Sequence, residues 1–316
     1  MREYGPGNPL VFNHIPKTAG TSLRAALRQA LQPTVVVEGF DGSLFGGYDD
    51  ISDVAPAMRD TVFLSPEALP ADATLVAGHI SPYTTQTRYP GADHITFVRS
   101  PQVRLLSQWI HSRSVTEFNV RHWGAAAEAF RVGWGSLADY LQHENVAPNV
   151  DNTIVRFFAW PHPLLKKTSF ITEDQDDELL AAALERLETI GFVGLVENPQ
   201  FIDDLSAWLG TDLADTRLNE RATVPKAMRP DLALELSDGT RELLDHRCRI
   251  DVRLWEHVAA NAIPDADTDA VLRGAIDKAL RRYDEMLQEP DHRKPLRRVV
   301  EGMYGRAVNL RRRRSR

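Results

Sequence analysis

The chain is 316 residues long, 43% hydrophobic and 26% charged, which is the balance of an ordinary globular protein. Its net charge of −7 argues against a general nucleic-acid binder, and no apolar run approaches the roughly 18 residues of a membrane span. The single cysteine, Cys248, has no partner for an internal disulfide, and Met1–Pro6 hold no apolar signal region, so the expected setting is the cytoplasm.

In chain order, the first element is a short apolar run from Leu10 to Ile15, flanked as a buried strand is. It passes directly into Pro16-Lys17-Thr18-Ala19-Gly20-Thr21-Ser22, after which Leu23, Ala26, Leu27, Ala30 and Leu31 recur at helical spacing. The unpaired N–H groups and positive dipole end of a new helix form an anion site at such a turn. Lys17 adds a mobile charge, Thr18, Thr21 and Ser22 add hydroxyls, and small Ala19 and Gly20 let the backbone wrap around a phosphate. A capped helix with an incidental lysine is the plain alternative. The nucleotide triphosphatase loop, Gly-x-x-x-x-Gly-Lys-[Ser/Thr], does not fit, because Lys17 precedes Gly20 by three residues.

Further strands are expected at Thr34–Glu38, Thr74–His79, His94–Arg99 and Phe192–Glu197, each a brief apolar run bounded by turn or polar residues. Such runs separated by helical segments predict an α/β fold, a central parallel sheet flanked by helices. Residues 39–70 read as an irregular excursion with at most short helices. Helices are expected over Leu137–Trp160, Asp174–Glu188, Pro199–Leu209, Pro230–Asn261 (broken near Asp245–Cys248) and Thr268–Gln288, giving helical insertions and a helical C-terminal part. Residues 1–290 read as one catalytic domain. Residues 291–316, rich in arginine, read as a solvated basic tail whose charge suits anionic lipid or an acidic partner.

The loop Pro16–Ser22 after a strand resembles the 5′-phosphosulfate loop of sulfotransferases. It is most similar to the carbohydrate, heparan-sulfate-type branch, whose loop reads His-Ile-Pro-Lys-Thr-Gly-Gly-Thr-Ser. The resemblance continues at Phe97-Val98-Arg99-Ser100-Pro101 with Arg104 and Ser107, where the family pattern is Phe-x-Arg-[Asp/Ser]-Pro-x-x-Arg-x-x-Ser. In that family the first arginine and the serine hold a 3′-phosphate, which implies the same role for Arg99 and Ser107; Arg104 is expected to brace the fold. Phe192-Val193-Gly194-Leu195-Val196-Glu197 is similar to a later Phe-x-Gly-x-x-Glu segment. The resemblance spans residues 10 to about 200. It implies a fold like that of the P-loop nucleotide triphosphatases; the lack of an apolar signal region or span departs from the typically Golgi-anchored animal members and suggests a soluble, bacterial-type relative. The donor would be 3′-phosphoadenosine-5′-phosphosulfate (PAPS), with Lys17, Thr18, Ala19, Gly20, Thr21 and Ser22 around its 5′ end and no required metal.

Sulfuryl transfer to an alcohol needs a base, and histidine has the pKa to accept a proton near neutrality. His79 ends a predicted strand at the carboxyl edge of the sheet, and Gly78-His79 resembles the family element that supplies the base; a capping or core histidine is the alternative. His14, beside the cradle, either lines the acceptor pocket or is structural, and His111 and His122 have weaker claims. Asp151-Asn152-Thr153-Ile154-Val155-Arg156 resembles a segment bordering the acceptor cleft, making Asn152 and Arg156 candidate substrate ligands beside the alternative of a helix cap with an exposed arginine. The acceptor implied is a hydroxyl of a saccharide, glycolipid or similar metabolite. A small-molecule kinase with an unusual phosphate loop and a nucleotide-binding regulatory protein without turnover are the competing readings.

Overall fold

The computed structural model of the protein describes residues 3–213, 223–290 and 295–314. Its strands are β1 (Leu10–Asn13), β2 (Val36–Val37), β3 (Phe40–Asp41), β4 (Val62–Phe63), β5 (Leu75–Gly78), β6 (Asp93–Val98) and β7 (Phe192–Leu195). Five of them form one parallel sheet in the order β2-β5-β1-β6-β7, with Asn13 opposite Gly78 and Phe12 opposite Ile95. All five predicted sheet strands are present, each ending short of its predicted carboxyl end, and β6 beginning one residue earlier, at Asp93. The α/β expectation of a parallel sheet flanked by helices holds.

Side chains alternate across the sheet, and so the faces acquire different partners. Leu10, Phe12, Leu75, Ala77, Ile95 and Phe97 pack under helices Gly20–Leu31 and Phe201–Leu209. Val11 and Val76, on the opposite face, join Ile80, Phe63, Leu69 and Tyr89. Beyond the sheet, helices Thr153–Ala159, Asp176–Glu188 and Asp238–Ala262 share a second core with Ile15, Val98 and Leu195, which ties the helical C-terminal part to the strand ends.

Four expectations change. The excursion 39–70 contains a small parallel pair, β3 with β4, as well as short helices. Its two-residue strands are too short to leave a pattern in sequence. The helical stretch expected over Leu137–Trp160 is divided into Leu137–Gln142, Ala147–Val150 and Thr153–Ala159, with Asn152 in the left-handed region (φ 45°) at the start of the last. Helix Asp238–Ala262 is continuous through Asp245–Cys248, because Leu244, Arg247, Cys248 and Asp251 all turn inward onto packed neighbours. The basic C-terminal segment is helical over Pro295–Arg314 and packs on the short helix Glu117–Val120, where the Phe118 and Tyr304 rings meet edge to face with centroids 5.8 Å apart. Among the described residues no helix is long and apolar enough to cross a membrane.

Candidate functional site

In this strand order β1 has β5 on one side and β6 on the other, and the chain leaves β1 and β6 in opposite directions. A crevice opens at the carboxyl ends of strands at such a switch point. Lys17 follows β1, and Arg99 follows β6. The two meet there: Arg99 Nη1 donates to the Lys17 carbonyl at 3.1 Å.

The turn after β1 is wound tightly. Lys17 (φ 72°) and Ala19 (φ 66°) both lie in the left-handed region, and the Thr18 hydroxyl donates to the Ile15 carbonyl at 2.9 Å. Thr18 is fully buried, so its hydroxyl closes the turn and does not line the cavity. Helix Gly20–Leu31 starts without a side-chain cap hydrogen bond at its N-cap, Ala19. Gly20 is required by packing: a Cβ there would lie 2.0 Å from Nε2 of His14.

A cavity of about 730 Å³ opens over this crevice, and Lys17, Ala19, Gly20, Thr21, Ser22, Arg99 and Ser107 all line it. Arg24 and Arg282 add two cations, and among the described residues no aspartate or glutamate lines it. In a chain of net charge −7 that is a local inversion of sign, suited to a polyanion. Burial, with Arg99 and Arg282 nearby, lowers the Lys17 ammonium from its ordinary value to about 8. An entering anion would supply the charge this crowded ammonium lacks.

Three histidines line the same cavity: His14, His79 and His111. The His79 Nδ1–H donates to the His14 carbonyl at 2.7 Å, which fixes the tautomer and leaves Nε2 as the acceptor nitrogen. The rings of His14 and His79 lie 4.4 Å apart. Burial, with Arg24 and Lys17 nearby, pushes His79 down to about 4 despite the hydrogen bond. The sequence expectation of a base titrating near neutrality is therefore corrected: His79 is uncharged throughout the neutral range. Burial with Lys17 and His79 likewise takes His111 to about 3. His14 is held well below its ordinary value, first by burial and then by His79, Arg24 and Lys17, and neither of its ring nitrogens has a hydrogen-bond partner among the described residues.

The His79 backbone is pinned on both sides. Its N–H donates to the Gly39 carbonyl at 2.7 Å, and the Asp41 N–H donates to its carbonyl at 3.2 Å. Buried Asp41 accepts from the Ser81 amide and hydroxyl and from the Thr84 hydroxyl, fixing the turn just beyond. Gly78 is glycine because a Cβ would come within 2.8 Å of the Gly39 carbonyl oxygen.

Asn152 and Arg156 are not brought to the cavity. Asn152 Oδ1 accepts from the amides of Ile250 and Asp251. Arg156, 3% exposed, pairs with Asp151 at 2.7 Å and donates to the carbonyls of Asp151, Lys166 and Ser169. Both bind the helix Thr153–Ala159 into the core, which corrects the expectation of substrate contacts. Arg104 braces the fold through Asn149 and Thr153. In the Phe192–Glu197 segment only Val196 reaches the cavity; Gly194 makes room for Phe97, and Glu197 accepts from the Ser100 amide and the Trp255 indole.

Sequence reasoning missed Arg24, Arg282 and an aromatic wall. Arg24 had a usable signal, since it lies one turn after Gly20 on the same helix. Arg282 stands mid-helix in Thr268–Gln288 and reaches the cavity only through tertiary packing.

No family model matches the chain, and no curated protein matches it. One solved structure it resembles is a sulfotransferase from Alicyclobacillus acidocaldarius, at a TM-score of 0.36 and 16% identity, covering 79% of this chain and 95% of that one. A likeness at that level carries neither activity nor substrate to this chain. The fold stands on the strand order, and the site on its residues.

Proposed function

We propose that the protein is a sulfotransferase that moves the sulfuryl group of PAPS to the hydroxyl of an acceptor, with residues 1–290 as the catalytic unit and 291–316 as a basic appendage. One observation carries this reading: Lys17 and Arg99, delivered by two strand ends, meet over a cavity that no carboxylate among the described residues lines and that also holds the Nε2 face of His79. Each residue then has a distinct task. The helix-start amides and Lys17 hold the 5′-phosphosulfate, while Arg99 and Ser107 hold the 3′-phosphate. His79 Nε2 takes the acceptor proton as the acceptor oxygen bonds to sulfur. The bond from sulfur to the bridging oxygen breaks, and Lys17 stabilises the charge arriving on the 5′-phosphate. His14, whose two ring nitrogens beside Gly20 have no partner among the described residues, has donor or acceptor capacity for the same anion.

A kinase reading is less well supported. Nucleoside triphosphates arrive with magnesium held by a protein carboxylate, and no carboxylate among the described residues lines this cavity. A binding protein without turnover would have no use for an imidazole held in one tautomer at the anion site. The test is calorimetric titration with 3′,5′-adenosine bisphosphate against ATP with magnesium, followed by transfer from sulfur-labelled PAPS. Preference for the bisphosphate together with label transfer is expected. Preference for magnesium ATP would overturn the donor assignment, and bisphosphate binding without transfer to any alcohol would leave only the regulatory reading.

A further inference from the structure

The cavity lining is of two kinds. Its cations sit on the β1 turn, helix Gly20–Leu31, the end of β6 and helix Thr268–Gln288, while an aromatic wall is built from β3, the segment just after it and the region 123–130. That wall carries Phe40, Phe45, Trp123, Ala126, Ala129 and Phe130. Phe40, Phe45, Trp123 and Phe130 are each half-buried, so each keeps surface open to the cavity. The wall starts at the candidate base. The Phe40 and His79 rings lie 5.4 Å apart, and Trp123 meets Phe40 edge to face at 5.7 Å. Phe45 meets Phe40 edge to face at 6.4 Å.

An acceptor hydroxyl placed at Nε2 of His79 has this wall of rings and methyl groups beside it, while Gln108 and His111 of helix Pro101–Ser114 also line the cavity. A saccharide presents a hydroxyl on nearly every ring carbon, and each one buried without a partner is costly. Phe40, Phe45, Ala126, Ala129 and Phe130 have no side-chain hydrogen-bonding atom to offer. Flat apolar rings, in contrast, gain from both burial and edge or face contacts with such a wall.

Building on the sulfotransferase reading, we propose that the acceptor is a hydroxyl carried directly on an apolar ring system, a phenol or fused-ring alcohol, and not the saccharide that the sequence resemblance implies. Trp123 and Phe130 are then specificity-determining residues of that wall.

The experiment has two arms on the full-length chain. In the first, 2-naphthol is titrated into the protein saturated with 3′,5′-adenosine bisphosphate, and into the protein alone. Saturable binding is expected, weakened about tenfold or more in Trp123→Ala and in Phe130→Ala, with bisphosphate affinity unchanged in both. In the second, labelled PAPS is offered with 2-naphthol or with a neutral disaccharide. Transfer to 2-naphthol is expected, with the variants raising KM and leaving kcat within a few-fold. Absence of naphthol binding, transfer to the disaccharide alone, or variants that leave KM unchanged would overturn the acceptor proposal. Failure of the protein to bind the bisphosphate would overturn the donor reading instead, and naphthol binding to the protein alone still tests the wall.

Discussion

His79 donates its Nδ1–H to the main-chain carbonyl of His14, the residue whose ring lies 4.4 Å from its own. That bond ties the carboxyl end of β5 to that of β1 and aims the remaining lone pair at Nε2 into the cavity. Because burial holds the ring down to about 4, the group needs no deprotonation at neutral pH.

The pH profile follows with a definite sign. His79 must be neutral to accept a proton, so its limb in kcat/KM rises through about 4. Lys17 must be charged to hold an anion, so activity falls as pH rises through about 8. We expect a plateau across the neutral range with no inflection near 6.5. Lys17→Arg should remove the alkaline limb, since a guanidinium does not titrate there. A wild-type inflection near 6.5 that His79→Ala abolishes would contradict the buried, uncharged ring.

Lys17→Ala should lower kcat on the order of a hundredfold or more while weakening bisphosphate binding much less. The ammonium matters most where charge gathers on the leaving oxygen. His79→Ala should fold, bind the bisphosphate and lose about a hundred- to ten-thousandfold in transfer. Single-turnover rates with titrated affinities separate the two variants, and near-normal turnover in either removes that residue from the chemistry.

Arg99→Ala should act chiefly on donor affinity, because the predicted 3′-phosphate lies away from the reacting sulfur. It should also erase the preference for PAPS over adenosine 5′-phosphosulfate, which lacks that phosphate. Its bond to the Lys17 carbonyl adds a smaller loss in kcat through the loosened turn. Unchanged discrimination in calorimetry would take Arg99 out of the site.

Ala19 occupies the left-handed region at φ 66°, where a Cβ costs about 1 kcal/mol and glycine is free of the penalty. Ala19→Gly, the residue found in the loop this segment resembles, should raise the thermal midpoint by about 2 °C with bisphosphate affinity retained. A lowered midpoint in scanning calorimetry would show that the turn is not strained.

Arg156→Ala should behave as a core lesion. It leaves buried Asp151 without its 2.7 Å partner, a loss of about 3 kcal/mol or more in urea unfolding. Bisphosphate affinity measured on the folded fraction should be unchanged. Weakened affinity without destabilisation would return Arg156 to the ligand site.

Local sequence determined a good deal of this protein. The five sheet strands, the tight turn at Lys17–Gly20 and the Arg99–Pro101 helix start are each written in a few adjacent residues, since strand, turn and cap preferences act over short stretches of chain. What it could not distinguish was whether a polar side chain in a local motif faces ligand or protein. Asn152 and Arg156 match a cleft-like segment, yet Asp151, Ile250 and Asp251, the last two about a hundred residues away, take up their hydrogen bonds. His79 reads as a neutral-range base until the burial around it and the charges of Lys17 and Arg24 are counted. Arg282 and the wall of Phe40, Trp123 and Phe130 come from elements with no motif at all. Conformation is set by neighbours along the chain, whereas desolvation, field and cavity shape are sums over neighbours in space; those sums exist only once the sheet has brought its strand ends together.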